Sequence, residues 1–539
     1  MKNKKNPALI LLPLLLAVGV GCGIFIGRYI TTRSLTAKEE KLKTVLGLIQ
    51  SDYVDVLNMD SLIEATFPDL LLSLDPHSAY IPAAELQAVN DDLSGSFSGV
   101  GVSFQIINDT VQVIEVIPGG PAEKVGIQPG DRIVKADTVT LTGKDITSQD
   151  VFKTLRGEKG TTVVLTIKRY GQKKEVVYDV VRGDIPVNSV DVSYMLTKDA
   201  GYLKVTKFSR NTYMEFFNAL NDLRQQGAKS FIIDLRGNSG GFMDQAIYMA
   251  NEFLPAGRVI VYTKGRKPEN EYMAMSDGNG RFQDSPIVVL TNEGSASASE
   301  IFAGAIQDND RGLIIGRRTF GKGLVQNQMD LPDSSAIRLT VARYYTPSGR
   351  SIQKDFQRGQ LSKYDMDIVD RYTHGEFYNA DSIKFDKDKI FFTTNGREVY
   401  GGGGIMPDIF VPEDTTNYTS YYMTVVNQGL IQKYANLVAD KYRDKLGNNR
   451  TLEGLNKIML PDDVLLEDFV EYAVGEGVPA RWYYINRSSD LIVSQLRAMI
   501  ARDVIGYPAF IELLNRKDNA VIKALKELDS GRSPVNIPK

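Results

Sequence analysis

At 539 residues the chain is too long for one ordinary domain, and its length indicates three or four. Its composition of 43% hydrophobic and 24% charged residues is typical of a folded protein and excludes a disordered one. A net charge of −3 gives no basic footprint, which makes nucleic acid a poor partner. The single cysteine, Cys22, leaves the rest of the chain without structural disulfides, thiol catalysis or Cys-based zinc sites.

Residues 1–33 combine a cationic start with a long uncharged run. Three lysines within the first five residues precede the run from Asn6 to Gly27, which is long enough to span a bilayer as a helix. Positive charges before the apolar run favour a cytoplasmic N-terminus. We therefore expect an uncleaved membrane anchor with the body on the extracytoplasmic (periplasmic) side. A cleaved signal peptide and a lipid on Cys22 are the alternatives, although no A-x-A-like site follows the run.

Residues 34–90 carry apolar side chains at helical spacing and predict a helical N-terminal segment. The sequence Asp75-Pro76-His77-Ser78 interrupts this pattern. A lone histidine cannot form a metal site, so we expect His77 to be a hydrogen-bonded turn residue.

Residues 91–184 change to short β-rich runs between Gly-Pro turns. We expect strands over Val111 to Val116 and Thr162 to Lys168 and a helix over Ser148 to Leu155. This order resembles a PDZ domain, and the resemblance implies that a loop captures the free C-terminus of a peptide through backbone N–H groups. The implied loop residues are Gly99, Val100, Gly101 and Val102. A small β-domain without a ligand is the alternative.

Residues 185–412 alternate strand and helix patterns. A buried strand, Phe231 to Leu235, leads through a glycine-rich turn ending at Gly240-Gly241 into a helix from Met243 to Leu254. Such a turn can direct backbone N–H groups at an oxyanion, and a plain strand-to-helix turn is the alternative. We expect Asp234 and Arg236 in this turn to be structural.

The stretch from Leu290 to Gln326 has the strongest chemical pattern. The apolar run Ile287 to Leu290 ends in a Gly- and Ser-rich turn, after which a helix begins. Ser297 therefore lies near a helix N-terminus, where free N–H groups favour a developing anion. Composition alone does not separate it from Ser295 and Ser299.

A nucleophilic serine needs a base, and the chain has only two histidines, both distant from this stretch in the sequence. Lys322, between Gly321 and Gly323, can serve if burial keeps it neutral, since desolvation penalises the charged form. The glycines on both sides of Lys322 suggest that the backbone at this point passes close to another part of the protein. A surface lysine is the default alternative for any single lysine.

The motifs in this stretch resemble those of the carboxy-terminal processing proteases, a Ser-Lys family. The resemblance extends over roughly residues 40–412 and is carried by these segments in order: Leu74–Ser78, Asp234–Asn238, Ser295–Glu300, Phe320–Gly323, Pro347–Gln353 and Gly404–Asp408. It implies that Ser297 is the nucleophile, Lys322 the general base and Gln326 the group that orients the lysine. It also implies an oxyanion hole from the Ala298 N–H together with the Gly240-Gly241 region.

Two rival motifs overlap this region. Residues 316–322 match the start of a phosphate loop, but Gly323 replaces the Ser or Thr that binds magnesium and a strand pattern follows. Ser351 to Lys354 is an S-x-x-K without the companion motifs of penicillin-binding enzymes. Neither match outweighs the hypothesis that Ser297 and Lys322 form a catalytic pair.

The remaining segments are less informative. Residues 354–400 form an acidic, Tyr-rich insertion to which the sequence assigns no function, and residues 413–539 show helical periodicity. An appended helical domain of this kind serves packing or homo-oligomerisation more often than catalysis.

The sequence therefore predicts an α/β multidomain chain with an N-terminal anchor, a helical segment, a PDZ-like domain, an α/β Ser-Lys protease core and a helical C-terminal domain. The predicted activity is that of a membrane-anchored serine endopeptidase that cleaves proteins near their C-termini, with the PDZ unit capturing substrate tails. No metal or organic cofactor is implied. A non-catalytic PDZ adaptor on a protease-like scaffold is the second hypothesis.

Overall fold

The computed structural model describes residues 37–107, 109–384, 386, 388–447 and 449–531. The predicted anchor at residues 1–33 lies outside these ranges. Within them, every helix is too short or too polar to cross a bilayer. The chain divides into two units between Leu71 and Leu72, and the described part of the first consists of helix α1 (Ala37–Asp52) and most of α2 (Met59–Leu72).

The second unit begins with a turn and a short strand, β1 (Ala79–Ile81), followed by helix α3 (Ala83–Ser94). The sequence predicted helices in this segment, and the strand is a difference. Its partner is the antiparallel segment from Ala336 to Arg338, far along the chain. A strand of three residues is too short to show the alternating pattern of a strand in the sequence. Its partner is also far away in the chain, so no local signal predicts it.

A β-rich unit with its own buried core follows α3. Its elements are β2 (Ser96–Gly99), β3 (Val102–Ile107), β4 (Thr110–Val116), α4 (Pro121–Val125), β5 (Arg132–Ala136), β6 (Val139–Thr140), α5 (Ser148–Leu155), β7 (Thr162–Lys168), β8 (Val176–Val181) and β9 (Gly183–Pro186). Strands β3, β4, β5, β7 and β8 are neighbours in that order, and β6 pairs with β5. Strands β2 and β9 form a separate antiparallel pair where the chain enters and leaves the unit.

The next region is a three-layer α/β/α core. Its sheet has the order β10 (Val190–Met195), β11 (Ala200–Val205), β12 (Ser230–Asp234), β15 (Ile287–Thr291), β16 (Leu313–Gly316) and β21 (Ile409–Phe410). All neighbours from β11 to β21 are parallel, which explains why these strands are continuous apolar runs. One face is covered by α6 (Thr212–Gln225), α7 (Met243–Asn251) and α8 (Ala298–Asp308).

A second, antiparallel sheet contributes to the same core. It contains β1, β13 (Val259–Gly265), β14 (Tyr272–Met275), β17 (Leu324–Asp330) and β18 (Ala336–Tyr345). The long strand β18 pairs with β1, β13 and β17, so it joins the start of the second unit to the segment that follows Lys322.

The insertion at residues 354–400 folds against the α/β core. It forms α9 (Leu361–Asp365), α10 (Asp367–Thr373) and the hairpin of β19 (Ile390–Phe392) and β20 (Glu398–Tyr400). Tyr364 of α9 is buried.

The helical region after residue 413 has two parts. Helices α11 (Ser420–Asn427), α12 (Leu430–Leu446), α13 (Leu452–Ile458), α14 (Asp462–Gly475) and α15 (Trp482–Val504) share one core. Helices α16 (Tyr507–Asn515) and α17 (Asn519–Asp529) cover the second face of the six-stranded sheet. The helical domain also contacts the β-rich unit, since Asp440 accepts from Arg132 at 3.1 Å and Arg502 donates to Gln105 at 3.3 Å.

Candidate active site

Three loops meet at the carboxyl edge of neighbouring parallel strands. The glycine-rich turn follows β12, the loop with Ser297 follows β15, and the loop with Lys322 follows β16. In open α/β sheets this edge is where ligands bind, because the loops leaving adjacent strands converge there. The fold thus brings the predicted nucleophile, base and oxyanion turn to one place.

Ser297 occupies a sharp turn between β15 and α8. Its backbone has φ 56° and ψ −114°, a conformation that costs a non-glycine residue about 1–3 kcal/mol. The structure separates it from its two neighbours. Ser295 and Ser299 are fully buried, and their hydroxyls donate to the carbonyls of Leu235 and Asn238, whereas Ser297 is only half-buried.

Glu300 joins the serine loop to the lysine loop. This carboxylate is fully buried and accepts the N–H of Ser297 at 2.8 Å, of Gly321 at 2.7 Å and of Lys322 at 2.9 Å. It also accepts the Thr319 hydroxyl at 2.5 Å. Burial nevertheless raises the pKa of Glu300 to about 7.

Tyr344 of β18 makes a second connection between the two loops. Its buried hydroxyl lies 3.1 Å from the Ser297 carbonyl oxygen and also contacts the Lys322 carbonyl oxygen. In addition, the Phe320 N–H donates to the Ser295 carbonyl at 2.9 Å. The backbones of residues 297 and 322 are therefore held together independently of their side chains.

The glycines beside Lys322 allow backbone to pass closely, as the sequence suggested. A β-carbon on Gly323 would lie 2.9 Å from the backbone nitrogen of Gln353, and one on Gly321 would lie 3.1 Å from that of Gly404. These contacts define the position of the lysine loop.

Lys322 is half-buried among charged groups of both signs. Burial lowers the pKa of its amine below the ordinary value, and the positive charge of Arg338 lowers it further. The carboxylates of Glu300 and Asp75 act in the opposite direction. The net direction favours a neutral amine, which is the form that can accept a proton.

Gln326 lies on β17, four residues after Lys322. Its amide nitrogen donates to the carbonyl oxygen of His77 at 2.5 Å. It thereby connects β17 to the 75–78 turn, and its role in orienting Lys322 stays a prediction.

His77 is the hydrogen-bonded turn residue that the sequence predicted. Its N–H donates to Asp75 at 2.9 Å, and its Nε2 lies 2.7 Å from the hydroxyl of Tyr364. Burial lowers the pKa of His77 to about 4. The ring is therefore neutral at physiological pH.

Sequence reasoning missed the contributions of Glu300, Tyr344 and Tyr364. Glu300 was part of the recognised motif, and its position three residues after a serine at a helix start is the capping pattern that could have identified it. Tyr344 and Tyr364 act across distant segments, and no local pattern marks them.

The predicted oxyanion turn lies directly against Ser297. A β-carbon on Gly240 would lie 2.7 Å from the Ser297 β-carbon and 3.0 Å from the Ala298 nitrogen. The Gly240 N–H donates to Asn238 Oδ1 at 2.9 Å, so it is occupied. The N–H groups of Gly241 and Ala298 have no hydrogen-bond acceptor among the described residues.

The predicted peptide-binding loop of the β-rich unit has free donors as well. Gly99 ends β2 and Val102 begins β3. Between them, the N–H groups of Val100 and Gly101 meet no acceptor within the described ranges, while their carbonyls accept from Ala122 and Ile117. The loop therefore contains two adjacent N–H groups without an acceptor among the described residues, on two buried residues.

The structural role predicted for Asp234 and Arg236 agrees with their contacts. Although Asp234 is buried, the charges of Arg236 and Lys204 hold its pKa below the ordinary value. Arg236 also donates to Asp518 of the helical region at 2.7 Å. Among the residues that the structure describes, no cluster of three His, Cys, Asp or Glu side chains could hold a metal ion.

The two rival motifs lack their expected context. Residues 317–323 are irregular and lead into strand β17, not into the helix of a phosphate loop. Lys354 of the S-x-x-K donates to the Tyr364 carbonyl at 3.0 Å and to Asp367 at 3.2 Å.

Comparison with known families gives three matches along the chain. Residues 199–359 match peptidase family S41, and residues 112–169 match the PDZ domain. Residues 421–506 match a family of unknown function.

Curated relatives agree with the first match. A carboxy-terminal-processing protease of Bartonella bacilliformis is 40% identical over 310 residues, which are 57% of this chain and 70% of that protein. A probable CtpA-like serine protease of Staphylococcus haemolyticus is 35% identical over 314 residues, 58% of this chain and 62% of the staphylococcal one. This chain thus spans less than two thirds of the staphylococcal relative.

Among solved structures, the photosystem II D1 C-terminal processing protease is 29% identical, with a TM-score of 0.33. The match covers 59% of this chain and 91% of that protein. The PDZ domain of a carboxy-terminal protease from Vibrio cholerae, solved with a peptide, is also 29% identical, with a TM-score of 0.16 over 17% of this chain and 97% of that domain.

Proposed function

We propose, from the premise that this chain belongs to the carboxy-terminal-processing serine proteases of peptidase family S41, that it cleaves polypeptides through a Ser297–Lys322 dyad. One observation carries the proposal. The buried Glu300 carboxylate accepts the backbone N–H groups of both residues, so the fold holds their loops side by side. Because the chain belongs to a family of proteases, we prefer this proposal to the second hypothesis of a non-catalytic PDZ adaptor.

The chemistry follows the general course of Ser-Lys acyl transfer. The neutral Lys322 amine takes the proton of Ser297 Oγ as this oxygen attacks the scissile carbonyl carbon. Lys322 then gives the proton to the departing amine, which leaves an ester on Ser297. Lys322 then takes a proton from the water that attacks the ester and gives it to Ser297 Oγ as the C–O bond breaks, which releases the carboxylic acid product and restores the serine hydroxyl.

A labelling experiment on the full-length protein tests this assignment. A fluorophosphonate that reacts with activated serines should modify Ser297 alone, as determined by peptide mapping. Mass spectrometry of a digested unfolded polypeptide should show cuts near its C-terminus. Modification of another serine with Ser297 untouched contradicts the assignment.

Gly240 provides a first quantitative prediction. In Gly240→Ala the new β-carbon would clash with Ser297 and the Ala298 nitrogen, displacing the proposed oxyanion donors. We expect kcat to fall about 10²–10³-fold, the usual cost of losing one such donor. Steady-state kinetics on a quenched-fluorescence peptide measures it.

Gly237 is the matched control for this change. It lies in the same turn, also with positive φ (74°), but a β-carbon there meets no atom within 4 Å. Gly237→Ala should share the backbone strain and retain most of the activity. Equal losses in both variants would assign the effect to strain instead of the oxyanion hole.

The pH profile provides a second prediction. Acidification protonates Lys322 and removes the base, so kcat/KM should fall as pH decreases below the amine pKa, which lies below the ordinary value. Arg338 lowers that pKa, so Arg338→Gln should raise it and move the acid limb of the profile to higher pH. A limb that moves to lower pH or stays in place would refute the role of Lys322 as base.

The PDZ unit is proposed to bind substrate C-termini. The support is its free pair of N–H groups at Val100 and Gly101, which suits a terminal carboxylate. A peptide with an amidated C-terminus should bind the full-length protein more weakly than the free acid, as measured by fluorescence anisotropy.

Anchoring in a membrane, with the body on the extracytoplasmic side, is likewise a proposal. It rests on the lysines and the uncharged run in residues 1–33. Retention in the membrane pellet after alkaline extraction, with protease access to the body from outside the cell membrane, is the expected result.

A further inference from the structure

A groove with cationic walls runs beside the lysine loop. It consists of two adjoining cavities of about 620 and 870 Å³. Four residues line both, which makes the groove continuous: Arg343, Tyr345, Phe356 and Arg358. We call it the basic groove.

Residues that line the basic groove lie beside the lysine loop in both cavities. In the smaller cavity, Gln353 Oε1 accepts the Gly323 N–H at 2.8 Å and the Lys354 N–H donates to the Gly321 carbonyl at 2.9 Å. Leu324 and Asp75 line the larger cavity. A polypeptide segment in the groove would therefore lie beside the loop that contains Lys322.

Seven cations line the walls: Lys264, Arg266, Lys267, Arg343, Lys354, Arg358 and Lys389. Three of them have carboxylate partners: Lys267 with Glu269 at 3.1 Å, Lys354 with Asp367 at 3.2 Å, and Lys389 with Asp386 at 3.3 Å and with Asp355, the acidic residue of the smaller cavity, at 3.5 Å. The other four have no carboxylate partner among the described residues.

The remaining carboxylate of the larger cavity does not offset these four charges. Asp75 already accepts from the N–H groups of His77 and Ser78 and from the hydroxyls of Ser78 and Thr340. Burial opposes these hydrogen bonds, yet together they lower its pKa, so it is committed to the 75–78 turn. Unbalanced cations in one concavity, on a chain with a net charge of −3, attract and concentrate anionic ligands.

We infer that the basic groove binds a carboxylate-bearing stretch of the substrate polypeptide, with Arg343 and Arg358 as its main contacts. Both arginines lie where the two cavities meet, and a guanidinium can hold a carboxylate through two parallel hydrogen bonds. The carboxylates belong to acidic side chains or to the chain terminus. The inference rests on the proposed function, because it assigns a substrate class to that site.

Three quenched-fluorescence peptides with one scissile sequence test it on the full-length protein. The first carries a Glu-rich segment, the second has Gln at the same positions, and the third is the Gln peptide with an amidated C-terminus. We expect a difference in kcat/KM of about five- to tenfold between acidic and neutral forms at low salt, shrinking at high salt because salt screens exposed charges. A Glu effect identifies side chains, and an amide effect identifies the terminus when Arg343→Gln with Arg358→Gln abolishes it. An amide effect that survives in this variant belongs to the PDZ loop, and the absence of any groove-dependent effect overturns the inference.

Variants of the two arginines make the assignment specific. The double variant Arg343→Gln with Arg358→Gln should bring the ratio of kcat/KM between acidic and neutral peptides to about one. The double change to lysine should keep most of this ratio, because the positive charges are retained. Lys445→Gln, at an exposed position of α12, is the matched control and should leave the ratio unchanged. Loss of the ratio in the lysine variant as well would indicate a merely structural role and contradict the inference.

The outcomes for groove and dyad are distinguishable. If no peptide is cleaved in a Ser297-dependent manner, the proposed function fails. If all peptides are cleaved equally well, only the groove inference fails.

Discussion

Ser297→Ala is expected to lower peptide hydrolysis by about 10⁴-fold or more, since the acyl-enzyme cannot form without the hydroxyl. The variant should fold normally, because the Ser297 backbone contacts to Glu300 and Tyr344 do not involve the lost oxygen. Hydrolysis of a quenched peptide and thermal unfolding measure the two quantities. Full activity in this variant would overturn the assignment.

Lys322→Ala should cause a comparable loss, because Ser297 then has no base. The effect is largely not additive with that of Ser297→Ala, since both residues act in one proton transfer. Lys445→Ala is the matched control, an exposed lysine on α12 that should keep full activity. The activity of the unchanged protein and of Lys445→Ala should survive chelators. Sensitivity to EDTA would contradict the Ser-Lys mechanism.

Glu300→Gln removes the acceptor that joins the serine loop to the lysine loop. One Glu300 oxygen accepts the N–H groups of both Ser297 and Lys322, and the other accepts from Thr319 and Gly321. An amide of the same shape must place an N–H₂ against two of these donors. Buried donors left unpaired cost about 1–3 kcal/mol each, so we expect a loss of about 2–5 kcal/mol in unfolding free energy and a fall in kcat of at least about 10²-fold.

Chemical denaturation and active-site titration separate the two effects of this variant. The fraction of the Glu300→Gln protein that stays folded should react slowly with the fluorophosphonate, because the serine and lysine loops no longer hold each other in position. Glu293→Gln is the control, since Glu293 lies in the same loop but pairs with Arg317 at 2.9 Å. Normal labelling of a stable Glu300→Gln protein would show that Glu300 does not align the dyad.

The sequence predicted the elements that depend on local periodicity. Helix α5 and strand β7 have the predicted bounds, and β12 and β15 agree to within one residue at each end. These strands are apolar runs with glycine or polar turns at their ends, so local pattern and tertiary burial agree.

Contacts between distant segments could not be predicted in this way. Strand β1 exists only because β18 pairs with it, and Tyr364 reaches His77 from an insertion that the sequence left without a function. The motif around Ser297 and Lys322 indicated the chemistry, but only the folded chain shows that Glu300 and Tyr344 bridge the two loops. The basic groove likewise arises from cations on separate strands and loops.

The packing of α16 and α17 on the six-stranded sheet has a consequence for biosynthesis. Ile232, Val288 and Ile315 of the central strands are covered on that face by side chains that include Ile511 and Val521. A nascent polypeptide still lacking residues 507–529 would expose this apolar surface to water. The loops with Ser297 and Lys322 leave strands of this same sheet, so we expect the chain to hold them in their folded positions only after these two helices have been translated and have packed.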